Sequence, residues 1–335
     1  LAAIHNAIGE IHSQRGQVNL SVHYYQRALE LETRPEERGA IKARMGRVYA
    51  SAGDGRGLPL IEEALQELNP ETQANVVALA TAMIGRYYHY RAIHSKAIEY
   101  LERARSIAEP LDDAETLSEV YAFLAGAYQH LTRYPESMAW ARKNIALGQR
   151  KNHPISEAYG YEFLAEDSAA LGEWKNSLEY GERDREIGKR IGAQDRIAWG
   201  TFAQASARHG LGELASAERD ARAVRSLSEN IGDIRLASFS GGLLVQILGD
   251  LGQEEEANAL VEQVLREADA QQHVYNQLDA WHCCAYFFLH QNQVEKALEL
   301  YTQVEELMKS TDNLRTAITS RPWLAQAYLD TGQVE

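Results

Sequence analysis

Metal binding and catalysis constrain the spacing of histidine, cysteine, carboxylate and glycine, so those spacings are the first thing to read in this 335-residue chain. The 11 histidines include no His-Glu-x-x-His and no ligand spacing with cysteine. His89 and His94 lie five apart across a turn, where surface or groove positions explain them better than a shared ion. Cys283 and Cys284 are adjacent and read as buried small residues of a helix; a reactive thiolate would need an electropositive setting. There is no Gly-x-Ser-x-Gly elbow. Gly53-Asp54-Gly55-Arg56-Gly57 is the one glycine-rich loop, but no strand precedes it and no Lys-Ser/Thr pair follows, so it reads as a loose turn between helices. With 48 acidic residues, carboxylates at i,i+4 are commonplace. Glu162 and Glu166 are set apart only because their helix face is expected to look into a groove. No acid–base pair or nucleophile survives these checks. The chain is therefore expected to be no enzyme, to carry no metal and to need no cofactor.

Composition narrows the choice further. The net charge of −14 argues against a nucleic-acid binder, which needs clustered Lys and Arg to neutralise phosphates. It also argues against docking on an anionic membrane. Two adjacent cysteines offer no disulfide framework, and no apolar run is long enough to span a bilayer, so a reducing, cytoplasmic setting is expected. The chain opens at Leu1 and stops at Glu335, each inside a helical pattern, and reads as a piece of a longer protein.

The elements that must position any site repeat along the chain. Steps of 40 from Gly172 reach Gly212, Gly252, Asn292 and Gly332, all turn residues. Seven residues before each turn stand Ala165, Ala205, Val245, Ala285 and Ala325; five after stand Ser177, Ala217, Ala257 and Ala297. Small residues on both sides of a tight turn let two helix axes approach closely. The frame continues upstream with slightly shorter steps: Gly9, Gly46, Gly85 and Ala125 take the small position, and Gly16, Gly53, Ala92 and Thr132 the turn. Aromatic residues recur three after the small residue, at Tyr49, Tyr88, Tyr128, Phe288 and Tyr328, on the face that meets the partner helix. Eight repeats start near residues 2, 39, 78, 118, 158, 198, 238 and 278, and a half repeat near 318.

Met45-Gly46-x-x-Tyr49 and Ile84-Gly85-x-x-Tyr88, with Tyr25-x-x-Ala28 and Ala97-x-x-x-Leu101-x-x-Ala104, resemble the two helices of the tetratricopeptide repeat. The resemblance covers essentially the whole chain and departs from the family in period, which is mostly 40 rather than 34. The extra residues, such as Ile187 to Gly192, read as one more turn of the second helix and a stop. The resemblance implies an all-α solenoid of antiparallel helix pairs in a right-handed superhelix, forming one domain over residues 1–335. Long repeats of this kind are also similar to the sensor arrays of bacterial regulators such as maltose-regulator-type activators and signalling ATPases of the STAND class. Polarity adaptors and kinesin light chains have similar long repeats.

In that family the first helices line a concave face, and carrying its groove-facing positions over gives zones. Arg44, Arg47, Arg86, His89 and Tyr90 form a basic end; Gln129 and His130 follow; Tyr159, Glu162 and Glu166 form an acidic middle. Trp199, Phe202, His209, Phe239, Gln246, His282 and Tyr286 supply an aromatic far half. The Lys–Asn clamp of chaperone-binding members is absent at Asn6/Glu10, Ala43/Arg47, Ala82/Arg86 and Glu162/Glu166. The expectation is a scaffold or sensor that holds a peptide or partner domain in its groove. The alternative is a small-molecule sensor with a pocket around Trp199, Phe202, Phe239 and Tyr286. Self-association through the open terminal half repeat is also expected.

Overall fold

The computed structural model describes residues 1–14, 17–51, 54–270 and 273–332. Among these the chain forms 17 helices and no strand. In order they are α1 (Ala2–Gln14), α2 (Val18–Leu31), α3 (Pro35–Ser51), α4 (Gly57–Glu67), α5 (Ala74–Tyr90), α6 (His94–Leu111), α7 (Ala114–His130), α8 (Tyr134–Lys151) and α9 (Pro154–Ala170). Then come α10 (Trp174–Ile191), α11 (Gln194–Gly210), α12 (Leu214–Ile231), α13 (Ile234–Asp250), α14 (Glu254–Ala270), α15 (Val274–His290), α16 (Val294–Met308) and α17 (Leu314–Asp330). The architecture is that of an all-α array of tetratricopeptide-type helix pairs. None of the helices is long and apolar enough to cross a membrane, among the described residues.

The turns explain the period. Ala92, Thr132, Gly172, Gly212, Gly252, Asn292 and Gly332 all have φ between 54° and 76°, the left-handed conformation. A second series, Asp112, Asn152, Gly192 and Gly232, does the same at the ends of second helices. Each left-handed residue lets the next amide reach back to the last turn: Glu173 N–H donates to Ser168 O at 2.8 Å and Glu213 N–H to Arg208 O at 2.9 Å. That six-residue bond satisfies carbonyls that a helix end otherwise orphans. Glycine adopts this conformation freely, whereas Ala92 and Thr132 hold it against a Cβ penalty. Gly16 and Gly53 lie outside the described residues. Asp113, Asp233 and Asn313 cap the following first helices by accepting backbone N–H groups. From α9 onward, 17-residue first helices alternate with second helices of 15 to 18 residues across these short turns. The first helices from α3 onward start four residues ahead of the repeat starts near 39, 78, 118 and so on.

Small residues sit where axes cross. Ala125, Ala165, Ala205, Val245 and Ala285 are wholly buried, as are Ser177, Ala217, Ala257 and Ala297 facing them across the turns. At Gly200 the backbones of α10 and α11 touch so closely that a Cβ would stand 2.6 Å from both Arg185 N and Gly181 O. Several of the recurring aromatics, buried or half-buried, lie under a cation from the next helix or turn. Lys96 Nζ is 4.9 Å from the Tyr88 ring centre, the Arg133 guanidinium 4.7 Å from Tyr128 and Lys296 Nζ 5.0 Å from Phe288.

The chain falls into two compact units, residues 1–90 with 95–123, and residues 91–94 with 124–335. In unit 1, Tyr25, Ile41, Met45 and Tyr49 form a core around α1 to α3. In unit 2, a continuous core runs through α11 to α16, built on Ala205, Val245, Val264, Ala285 and Tyr301. Unit 2 also joins its own ends. The Asp312 amide donates to the Ala92 carbonyl at 3.0 Å, and the His94 amide to Asp312 Oδ1 at 2.5 Å. Ala92 packs with Leu278, Val304, Met308 and Ala317.

Candidate functional site: a cavity inside the second unit

Unit 2 encloses a cavity of about 250 Å³. Its wall is made by the inner faces of the first helices α9, α11, α13 and α15, together with the end of α7 and the first turns of α17. One side is aromatic. Phe202 packs edge-to-face on Trp199 at 5.9 Å between ring centres, Trp199 lies 6.1 Å from Phe239, and Phe239 meets Tyr275 edge-on at 5.0 Å. The series ends on His130, 4.5 Å from Tyr275 and stacked on His94 at 4.7 Å. The 40-residue step builds this wall, because it carries Trp199 to Phe239 on the same face of consecutive first helices.

The other side is charged. Arg315, in the first turn of α17, donates from Nη1 to Gln129 Oε1 at 2.9 Å. The same nitrogen lies 3.8 Å from Glu166 Oε2, near but outside hydrogen-bond range. Gln129, only 1 % exposed, passes the contact on by donating to Asp167 Oδ1 at 2.9 Å. Asp279 on α15 adds a second carboxylate to the wall. Burial pushes the Glu166 carboxyl up to about 7, against the pull of Arg315 and with the push of Glu162 and Asp167. Burial likewise raises Asp279 and Asp167 to about 6, again opposed by Arg315. His282, half-buried with Nδ1 3.0 Å from Ser320 Oγ, is pushed down to about 4 by burial and by Arg315, and so stands neutral. Cys283 also touches the cavity, but burial holds its thiol well above the usual range, so it is no nucleophile near neutral pH. No cluster of three or more metal-ligating side chains occurs among the described residues. The arrangement is suited to binding: rigid aromatic faces, two carboxylates and one guanidinium, with no activated nucleophile.

Of the residues expected in a groove, His130, Glu166, Trp199, Phe202, Phe239, Gln246 and His282 come together around this cavity. Gln129 stands behind it, holding Arg315. Others in unit 2 sit elsewhere. Glu162 pairs with the buried Arg196, whose guanidinium also lies 4.6 Å over the Tyr159 ring and 3.8 Å from Asp184. His209 meets Asp250 at 2.7 Å, and Tyr286 packs on Trp323 and His290. In unit 1, Arg47 bonds Glu10 at 2.6 Å while Arg44 reaches Asn6 at 3.5 Å, and both border a smaller cavity of about 160 Å³. Arg86 lies 5.3 Å from the ring centres of Tyr90 and Phe123, and His89 packs edge-on against both rings.

Three cavity residues escaped the sequence reading: Tyr275, Asp279 and Arg315. The signal for Asp279 was present, since it continues the series Tyr159, Trp199, Phe239 by one more step of 40. Tyr275 and Arg315 continue a different series, Asp195 and Arg235, four residues earlier. That series falls in the first turn of each helix, ahead of the repeat starts, where the family's groove positions do not reach.

No sequence family and no curated protein matches the chain. Solved structures do match in fold. A Rap protein complexed with competence and sporulation factor superposes with a TM-score of 0.66 at 13% identity, over 99% of this chain and 98% of that one. The Rap conjugation gene regulator of the plasmid pLS20, in complex with the Phr* peptide, gives 0.61 at 15% identity over 99% and 96%. A STAND signal-transduction ATPase with a tetratricopeptide repeat sensor, from Pyrococcus horikoshii, gives 0.56 at 14% identity over 99% of this chain and 49% of that one. At these identities the likeness is one of fold, not of site.

Proposed function

We propose that this chain is a peptide-binding sensor module of a regulatory protein, which anchors a side chain of its ligand in the unit 2 cavity. The observation that carries the reading is the cavity itself. Its wall combines packed aromatic faces with a few fixed polar groups, the usual make-up of a specific binding site. Its volume of about 250 Å³ lies near the lower end of the roughly 300–1,000 Å³ of ligand pockets. It can take an anchoring group of a longer ligand whose remainder lies on the surrounding helices. Tyr and Trp are common at binding hot spots, and Trp199 and Tyr275 fit that role. Two of the fold neighbours were captured with a signalling factor or peptide bound, which is consistent with this use of the scaffold. A regulatory role is part of the same reading.

A fluorescent library of short peptides, read by polarisation, tests it. Wild-type protein should select binders, and Trp199→Ala or Phe239→Ala should each weaken the best of them at least tenfold. Binders whose affinity is untouched by both substitutions would move the ligand away from the cavity. A second reading, a small-molecule effector sensor, draws on the same aromatic wall of Trp199, Phe202 and Phe239. Thermal-shift screening of metabolites, with the same two variants as controls, would single it out if the peptide library yields nothing.

A further inference from the structure

We propose that the unit 2 cavity recognises a cationic group, a guanidinium or a primary amine, and that Arg315 is its built-in competitor, displaced from Glu166 and Gln129 when the ligand binds. The proposal rests on the reading of this cavity as the ligand site.

Charge balance comes first. Two carboxylates, Glu166 and Asp279, touch the cavity, and a third, Asp167, stands behind Gln129. Arg315 is the one Arg or Lys on the wall. An anionic ligand would have to approach both carboxylates, and pulling Arg315 toward itself would leave them uncompensated, which is costly in a buried setting. A cation meets the opposite situation. It can take the place of the guanidinium near Glu166, so that one positive charge stays among the acids of the wall.

Arg315 is also poorly fastened. Its Nη1 has one good hydrogen bond, to Gln129, and stands 3.8 Å from Glu166, whereas tight guanidinium–carboxylate pairs close to about 2.7–2.9 Å, often with two bonds. A third of its side-chain surface remains open. Elsewhere in the same unit Arg222 shows what a committed pair looks like, with two bonds of 2.6 and 2.8 Å to Glu256. The raised Glu166 carboxyl agrees with an acid whose present partner under-stabilises its charged form. Trp199, Phe239 and Tyr275 also line the cavity, and aromatic rings attract cations. Arg235 already stands 5.7 Å from the centre of the Trp199 ring.

Displacement has a structural consequence. Arg315 is one of the links that hold the start of α17 within the unit, beside the Asp312–Ala92 and Asp312–His94 bonds and the Ser320–His282 contact. A ligand cation therefore removes one fastening of α17 while satisfying the acids that Arg315 leaves. Binding at the cavity becomes a loosening of the last helix.

Agmatine, which carries a guanidinium and a primary amine, is the probe. Its affinity is measured by calorimetry on wild-type protein, Arg315→Gln and the double variant Glu166→Gln/Asp279→Asn, and amide hydrogen exchange is followed over residues 314–330. Removing the competitor in Arg315→Gln should tighten agmatine at least tenfold, and the double variant should weaken it at least tenfold. Agmatine should speed exchange in 314–330 of the wild type, and Arg315→Gln should show that faster exchange without it. Arg315→Lys, which keeps the charge but loses the planar fork, serves if Arg315→Gln does not fold and should bind agmatine more tightly than wild type. Equal or weaker binding by the Arg315 variants, or tighter binding of glutarate than of agmatine, would overturn the proposal. Agmatine rejected while Trp199-dependent peptide binding persists removes only the cation assignment. Agmatine bound with no peptide selected removes only the peptide reading.

Discussion

Glu166 concentrates the electrostatics of the site. Its carboxyl is raised from an ordinary 4.5 to about 7, burial being the main cause. The folded protein therefore keeps a proton there that the unfolded chain releases between about pH 4.5 and 7. The stability it contributes is complete below about pH 4.5 and declines as pH rises to about 7. Glu166→Gln cannot titrate, so its stability relative to wild type should improve across that window and stay level above it. The gain should be on the order of 3 kcal/mol, checked by urea denaturation at several pH values. A gap that does not vary with pH would mean that Glu166 titrates in the folded protein as it does in the unfolded chain. His282, lowered to about 4, has the opposite pH slope, but it is present in both proteins and cancels in the difference.

Where α10 crosses α11, packing is limited by backbone contact rather than by side-chain volume. Gly200 on α11 meets the backbone of α10, so Gly200→Ala must part the two helices. It should cost about 1–3 kcal/mol, the range for overpacking, and lower the melting temperature measured by calorimetry. A Cβ at Gly242 would meet side chains alone, Cys283 at 3.1 Å and Asp279 Oδ2 at 3.8 Å, and the same substitution there should be milder. The turns give a prediction of opposite sign. Thr132 holds φ 58°, and relief of its Cβ penalty by Thr132→Gly outweighs the added freedom of the unfolded chain. A stabilisation of about 0.5–1 kcal/mol is expected in the same measurement. No gain would show that the turn around Thr132 tolerates its side chain without strain.

At the scale of the whole molecule, the last helix leaves apolar surface uncovered. Ile318 is 62% exposed and Leu329 58% exposed on α17, and Ala325, the small residue buried in the preceding repeats, is exposed here. Elsewhere that face is covered by the second helix of its own pair. We expect a second copy to cover it at high concentration, with a sedimentation coefficient that rises with protein concentration. Ile318→Glu with Leu329→Glu should abolish the rise; a coefficient independent of concentration in the unaltered protein would dismiss self-association through this face.

Local physics was sufficient for much of this. The 40-residue recurrence of turn residues and of flanking small residues fixes helix pairs, because a left-handed turn residue ends a helix whatever surrounds it and a buried crossing point admits only a small side chain. The same recurrence places Trp199 and Phe239 on corresponding faces, since residues one repeat apart are related by the stacking itself, and Phe202 joins Trp199 one turn on along its own helix. Tertiary structure alone decided which groups meet. Arg315 reaches Gln129 across 186 residues, and Asp279 borders the same cavity as Glu166 and Trp199. A repeat pattern records only neighbours one unit away, so the closure of unit 2 on itself is invisible in it. For the same reason Glu162 and Glu166, one turn apart on α9, part company: one pairs with the buried Arg196, and the other faces the cavity near Arg315.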